Sequence, residues 1–145
     1  MNIKVITGND PEFLQRANDI INIYNETCPS CHQESLNLSR LDALKLIYVD
    51  GVAGGVITDE WCNSNGEFMF HSIMFAAFPK ESRNQGYLKA CLTHCGFPVE
   101  TVQINDYDPV DIWKKLGFNL AGTMGMTIML RSRDFEGVKW GLCYM

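Results

Sequence analysis

The sequence predicts a single mixed α/β (α+β) domain that spans residues 1–145. Three observations favour this class. The length is typical of one domain, residues 44–78 contain strand-like runs separated by turns, and strands and helices alternate over residues 85–131. A hairpin-rich segment followed by β-α-β alternation indicates a sheet that is partly antiparallel and partly parallel.

The N-terminal part predicts a strand, a helix and a loop. Residues 3–7, IKVIT, form a β-branched run typical of a strand. Asp10 and Pro11 suit the N-cap and the first position of a helix. The polar segment 27–40 predicts a loop. Before it, apolar residues recur at three- and four-residue steps and predict a helix that ends near residue 26: Phe13, Ala17, Ile20, Ile21 and Tyr24.

The middle of the chain predicts three antiparallel strands. Residues 44–49 and 52–58 flank Asp50-Gly51, a pair suited to a two-residue hairpin turn. A second turn covers 63–67, and residues 68–78 form a strand too apolar to face solvent.

The second half predicts alternating helices and strands, and the tail 132–145 stays unassigned. The full order is β-α-β-β-β-α-β-α-β-β, which corresponds to a central sheet of about six to seven strands flanked by helices. The predicted elements are a helix at 85–95, a strand at 99–104, a helix at 108–117, and strands at 118–122 and 126–131.

Composition limits the function classes. The net charge is −5 and there is no basic stripe, which argues against nucleic acid as a partner. The chain has no apolar run long enough to cross a membrane and no signal-peptide pattern. We therefore expect a cytoplasmic protein whose six cysteines are thiols.

The segment 78–92 carries the strongest chemical signal. A buried strand ends, a polar loop follows, and a helix begins at once. A helix N-terminus offers free backbone N–H groups, and Gly86 would let an anion approach the backbone. Lys80, Arg83 and Lys89 add positive charge. These features favour a phosphate site, although an ordinary strand-to-helix turn with solvated basic residues has the same pattern.

Two segments carry a resemblance to a known family. RNQGYL, residues 83–88, resembles the (Q/R)-x-x-G-x-(G/A) signature of the GNAT N-acetyltransferase superfamily. QINDYDPVDIWKKLGF, residues 103–118, is similar to the strand, Asn and helix of that family, which ends in an aromatic-x-x-x-Gly-Phe pattern. The predicted element order also matches, from strand 3–7 to strand 126–131.

The resemblance implies a splayed sheet that binds acetyl-CoA. Backbone amides of the signature loop would hold the pyrophosphate, and the end of the long strand would pair with the pantetheine arm and polarise the thioester carbonyl. It implies an N-acetyltransferase that moves an acetyl group directly to a primary amine, without a metal. The implied cofactor-binding residues are Phe75, Ala76, Ala77, Arg83, Asn84, Gln85, Gly86, Tyr87, Leu88, Lys89, Asn105 and Trp113.

Two of these residues depart from the family pattern. Leu88 stands where Gly or Ala is usual, and it is expected to pack on the sheet. Trp113 stands where many members have a Tyr that protonates the departing thiolate. Since indole has no such acidic role, Trp113 is expected to pack near the cofactor arm.

Proton transfer therefore needs other candidates. A base must take a proton from the ammonium form of the acceptor, and Glu67 and His71 are the candidates on or near the long strand. Tyr107 could replace the missing acid. Each of these residues could instead be an ordinary packed or solvated side chain.

Other functions stay open. Trp113 leaves room for a domain that binds acetyl-CoA without catalysis, as a sensor or interaction module. Cys28, Cys31 and His32 could belong to a zinc or redox site, although the spacing to Cys91, His94 and Cys95 disfavours zinc. In a GNAT-like fold, segments 27–40 and 120–127 would line the acceptor side, and dimers are common in that family.

Overall fold

The computed structural model describes residues 1–27, 34–36, 38–104, 108–123 and 127–131. Within these ranges the chain forms three α-helices and seven strands, with short 3-10 segments at Leu38–Ala43 and Lys80–Ser82. None of the helices described has the length and apolar character needed to cross a membrane.

The helices and strands follow the predicted order. The bounds are β1 Ile3–Thr7, α1 Phe13–Glu26, β2 Leu44–Val49, β3 Gly55–Cys62, β4 Phe68–Ala77, α2 Tyr87–His94, β5 Val99–Ile104, α3 Asp111–Lys115, β6 Phe118–Thr123 and β7 Thr127–Arg131.

The strands form one mixed sheet with the order β1-β2-β3-β4-β5-β7-β6. Every neighbouring pair is antiparallel except β4 and β5, which are parallel and connected through α2. This architecture confirms the predicted mixed α/β class. The parallel pair is central to the candidate site, because parallel strands joined by a helix place the start of that helix beside the end of the first strand.

Apolar side chains cover both faces of the sheet. On one face, α1 packs through its predicted stripe, in which Phe13, Ala17, Ile20 and Ile21 are buried, against Leu46, Ile57 and Phe75. On the other face, α2 and α3 contribute Cys91, Leu92 and Trp113 to a core with Ile73, Val102 and Phe118. We refer to these as the α1 face and the α2 face.

Several element bounds differ from those predicted. The β2–β3 connection is not a two-residue turn: it covers residues 50–54, and β3 continues to Cys62. Gly51 and Gly54 in this connection, and Gly55 at the first position of β3, have positive φ, which delays the start of the strand. Helix α1 begins at Phe13 because Asp10 and Pro11 form a preceding turn, in which the Asp10 side chain accepts a hydrogen bond from the Glu12 N–H.

Candidate functional site

The parallel strands β4 and β5 separate after a short paired segment. Their register runs from His71–Val99 to Ile73–Val102, and between the described residues of these strands no pairing continues beyond that point. The ends of both strands, Met74–Ala77 and Gln103–Ile104, therefore line an opening in the sheet. This opening, which we call the cleft, has a volume of about 520 Å³ and also contacts α1, α2 and α3.

A β-bulge shapes the β4 side of the cleft. Thr58 of β3 pairs with Ile73, whereas the preceding Ile57 pairs with Phe75, so Met74 is the extra residue. The bulge reverses the alternation of side chains. Ile73 belongs to the core on the α2 face, and Phe75 belongs to the core on the α1 face. The backbone edge of β4 beyond the bulge is thus turned toward the cleft, where its peptide groups are not used by β5.

The N-terminus of α2 forms one end of the cleft. Gly86 is the N-cap residue in the left-handed region, with φ of 79°, and no side chain caps this helix. A Cβ added to Gly86 would have no described atom within 4 Å, so the space above it is open. The first N–H groups of the helix lack intrahelical partners and, with the positive end of the helix dipole, favour an anion there.

The loop before α2 is fixed to the end of β4. The Arg83 Nε–H donates a hydrogen bond of 3.0 Å to the Phe78 carbonyl oxygen. Asn84 follows with a positive φ of 63°, which asparagine tolerates better than most residues. Arg83 and Lys89 line the cleft, so this end carries positive charge as well as free amides.

The two departures from the GNAT pattern are both accommodated by packing. Leu88 is half-buried and packs against the core on the α2 face. Trp113 is 6% exposed, and its ring meets that of Phe118 edge-to-face with centroids 5.7 Å apart. Both residues also line the cleft. Trp113 therefore forms a buried wall of the cleft.

The cleft lining also contains a hydrogen-bonded pair that the sequence does not predict. The Tyr24 hydroxyl on α1 donates to Asp108 Oδ1 at 2.8 Å, and both residues line the cleft. The Tyr24 ring also meets Phe75 edge-to-face at 5.5 Å. The sequence places Tyr24 only on the apolar helix face, and no local signal links it to a residue 84 positions away.

A polar group lies next to the cleft on the α1 face. The Gln103 amide nitrogen donates to Ser72 Oγ at 2.9 Å and lies 3.4 Å from Asp59 Oδ1. The Trp61 indole N–H donates to the same Asp59 oxygen at 3.0 Å. Burial raises the Asp59 pKa from 3.8 to about 6, and these hydrogen bonds and the positive charge of Arg40 only partly oppose it. Gln103 connects this group to the cleft, because it is also one of the residues that line the cleft.

The predicted catalytic residues do not meet at the cleft. Glu67 is exposed and lies in the turn before β4, where its N–H donates to Asn63 Oδ1. His71 is 4% exposed and packs against the rings of Phe68 and Phe97. Burial, with Lys45 nearby, lowers its pKa to about 4. Neither residue lines the cleft. Tyr107 lies outside the described residues.

Most of the predicted cofactor-binding residues, in contrast to the predicted catalytic residues, lie together at the cleft. All of them line the cleft except Gln85, which is described but lies outside it, and Asn105, which falls outside the described residues. Strand β4, the loop before α2 and helix α3 are distant in sequence, so only the folded sheet brings them to one opening. The binding role of each residue stays a prediction.

The cysteine alternatives receive no support from the described part of the chain. Cys28, Cys31 and His32 lie outside it. Cys91 and Cys95 are buried, and burial followed by the neighbouring Cys95 thiol raises the Cys91 pKa to about 12. Such a thiol is a packed core group and not a reactive thiolate. Among the described residues, no group of three or more His, Cys, Asp or Glu side chains could hold a metal ion.

Solved structures of acetyltransferases share this fold. Tetrahymena GCN5 superposes with a TM-score of 0.63 at 16% identity, over 90% of this chain and 94% of that one. Naa50 of Arabidopsis thaliana, in complex with the bisubstrate analogue CoA-Ac-MVNAL, gives 0.59 at 15% identity, over 92% of this chain and 100% of that one.

N-acetylglutamate synthase of Neisseria gonorrhoeae, complexed with coenzyme A and N-acetyl-glutamate, gives a TM-score of 0.58 at 12% identity. The match covers 90% of this chain but only 35% of the synthase, so the chain spans about a third of that protein. The sequence matches no family model and no curated protein. At these identities the comparisons establish the fold: the chain has the fold of the GNAT acetyltransferases.

Proposed function

We propose that this protein is an acetyl-CoA-dependent N-acetyltransferase that moves an acetyl group directly to a primary amine. The observation that carries the proposal is the cleft between β4 and β5, which runs to the uncapped N-terminus of α2 at Gly86. The fold supports it, because two of the similar structures contain coenzyme A or a coenzyme A analogue.

The residues along the cleft fit the parts of acetyl-CoA. The free N–H groups at the start of α2, with Arg83 and Lys89, suit a pyrophosphate. The unpaired peptide edge of β4 beyond Met74 suits the amides of the pantetheine arm, which can pair with a strand edge. When bound, acetyl-CoA supplies the activated thioester. A β4 backbone N–H at this edge would stabilise negative charge on the carbonyl oxygen during attack.

The part of the cleft around Asp108 suits the acceptor. Asp108 provides a carboxylate there, and the Tyr24 hydroxyl holds its Oδ1. A carboxylate in a cleft attracts a cationic amine, and the net charge of −5 acts in the same direction. The acceptor we propose is therefore an amine that is protonated in solution and binds with its ammonium group near Asp108.

Two measurements test the proposal. Isothermal titration with acetyl-CoA should give a saturable heat, and a panel of small-molecule and peptide amines should release thiol from acetyl-CoA in the presence of the protein. The absence of both heat and thermal shift at millimolar acetyl-CoA would refute the assignment.

A second candidate is favoured by one observation, the replacement of the family's phenol by the buried Trp113. It is a domain that binds acetyl-CoA without catalysis. Saturable binding without turnover of any amine would support it, and turnover of one amine would exclude it.

A further inference from the structure

The side-chain amide of Gln103 is oriented by its neighbours. Its nitrogen carries two N–H groups, and it lies 2.9 Å from Ser72 Oγ and 3.4 Å from Asp59 Oδ1. Both N–H groups are therefore directed into the sheet. Gln103 is one of the residues that line the cleft, and its carbonyl oxygen Oε1 is the side-chain amide atom left for a molecule bound there.

Asp59 determines which way the amide faces. Asp59 and Ser72 are directly opposite each other on β3 and β4, so both reach Gln103 from neighbouring strands. Asp59 Oδ1 is a hydrogen-bond acceptor, so the reversed amide would place Oε1 against another acceptor oxygen. The Trp61 indole N–H holds Asp59 Oδ1 in place.

The Asp59 carboxyl lies in an environment that disfavours its charged form. Burial raises its pKa to about 6. Arg40 and Glu60 line a hollow of about 300 Å³ together with Asp59. A largely buried carboxylate with a raised pKa beside a cleft is typical of a residue retained for function.

We propose that Gln103 binds the acceptor amine through Oε1, and that Asp59 and Ser72 act as positioning residues that hold its amide in this orientation. This inference rests on the proposed N-acetyltransferase function. It adds to that function one residue that contacts the acceptor, Gln103, and two residues that act through Gln103, namely Asp59 and Ser72.

A hydrogen-bond acceptor such as Oε1 favours the transfer step. The ammonium group of the bound acceptor first loses one proton to water, and the resulting neutral primary amine attacks with its lone pair and keeps its two N–H groups as donors. As the C–N bond forms and the C–S bond of the thioester breaks, the nitrogen becomes positive and its N–H groups become stronger donors. The nitrogen then loses one proton to water, and the thiolate gains one. A hydrogen bond to Oε1 is thus stronger in the transition state than in the bound substrate, which is the condition for faster turnover.

The test compares variants on the best amine acceptor of the wild-type protein. Gln103→Met keeps the length of the side chain and removes the hydrogen bonds. We expect its kcat/KM for the amine to fall by about tenfold to a hundredfold, which is the effect of losing one hydrogen bond to a charged group. The Kd for acetyl-CoA, measured by titration, should stay within about twofold because the variant does not change the α2 end of the cleft.

The positioning roles are tested by a matched pair at Asp59. Asp59→Asn keeps an oxygen acceptor for Trp61 and Gln103, which both point to Oδ1, and should retain kcat/KM within about threefold. Asp59→Leu removes the acceptor and should resemble Gln103→Met. If Asp59→Leu does not fold, Ser72→Ala replaces it, with an expected loss of about threefold to tenfold from one neutral hydrogen bond.

Each outcome is decisive. Full acceptor kcat/KM in Gln103→Met would overturn the inference while leaving the proposed function intact. Equal losses in Asp59→Asn and Asp59→Leu, or a parallel loss of acetyl-CoA affinity, would assign Asp59 a structural role and overturn its positioning role. If the wild-type protein turns over no amine, the proposed function itself fails and the inference fails with it.

Discussion

Replacing Asp59 by Asn is expected to stabilise the protein at neutral pH. The Asp59 carboxyl is largely buried in β3, and burial raises its pKa from 3.8 to about 6. The Trp61 and Gln103 side chains both donate to its Oδ1. An asparagine oxygen can accept both hydrogen bonds, so the substitution removes the charge and leaves the local geometry in place.

The magnitude follows from the pKa. Because the folded-state pKa is raised, the native protein holds a proton on Asp59 that the unfolded chain has lost between pH 3.8 and about 6. The free energy of unfolding therefore falls as the pH rises through that window and is constant above it. The full effect corresponds to about 3 kcal/mol, of which about 2 kcal/mol lies between pH 4 and pH 7.5. The Asp59→Asn variant has no ionisable carboxyl at this position, so its free energy of unfolding does not fall for this reason as the pH rises.

Urea unfolding at pH 4 and pH 7.5 measures the effect. The stability of Asp59→Asn relative to wild type should increase by about 2 kcal/mol from the lower to the higher pH. Asp19→Asn, an exposed change on α1, is the control and should show no comparable increase. Parallel stabilities of Asp59→Asn and wild type at both pH values would refute the reasoning, since they would mean that the carboxyl is not desolvated.

Three further predictions follow from the same structure. Gly86→Asp should weaken acetyl-CoA binding by about tenfold or more relative to Gly86→Asn, because both residues tolerate positive φ but only Asp places a negative charge at the α2 N-terminus; equal affinities in a titration would move the phosphate site elsewhere. Phe118→Ala should lower the free energy of unfolding by about 3–5 kcal/mol, since this ring is fully buried against Trp113, and a loss below about 1 kcal/mol in urea would contradict that packing. His71 should titrate near pH 4 by NMR because burial lowers its pKa, so its contribution to stability is lost as the pH falls from about 6.5 toward 4, and a pKa near 6.5 would show that the ring is hydrated.

Much of the fold could be predicted because its signals are local. The stripe Phe13, Ala17, Ile20 and Ile21 has a helical period, and the same residues are buried beneath α1. The apolar run of β4 indicated a strand covered on both faces, and the structure places it in the interior of the sheet. The element bounds were less accurate, as in the β2–β3 connection, because backbone conformations at Gly54 and Gly55 depend on contacts with other strands.

The candidate site was also predictable only where its residues are close together in the sequence. The loop around Gly86 could be predicted because strand end, glycine and helix start are adjacent in sequence. The Tyr24–Asp108 hydrogen bond and the Asp59–Gln103 contact join residues 84 and 44 positions apart, and only the sheet order brings them together. The sequence makes His71 a candidate base because its polar side chain interrupts an apolar strand. Its position outside the cleft could not be predicted from the run itself, because the cleft opens only where the pairing of β4 with β5 ends, at Ile73.

Titration of the ¹⁵N-labelled protein with acetyl-CoA, followed by backbone amide NMR, tests the central claim most directly. We predict saturable shifts concentrated in the end of β4 at 74–77 and in the segment 83–89. Amides at the far end of β4, near Phe68, should change little. No shifts, or shifts that leave the β4–β5 cleft unaffected, would contradict the claim that this opening binds acetyl-CoA.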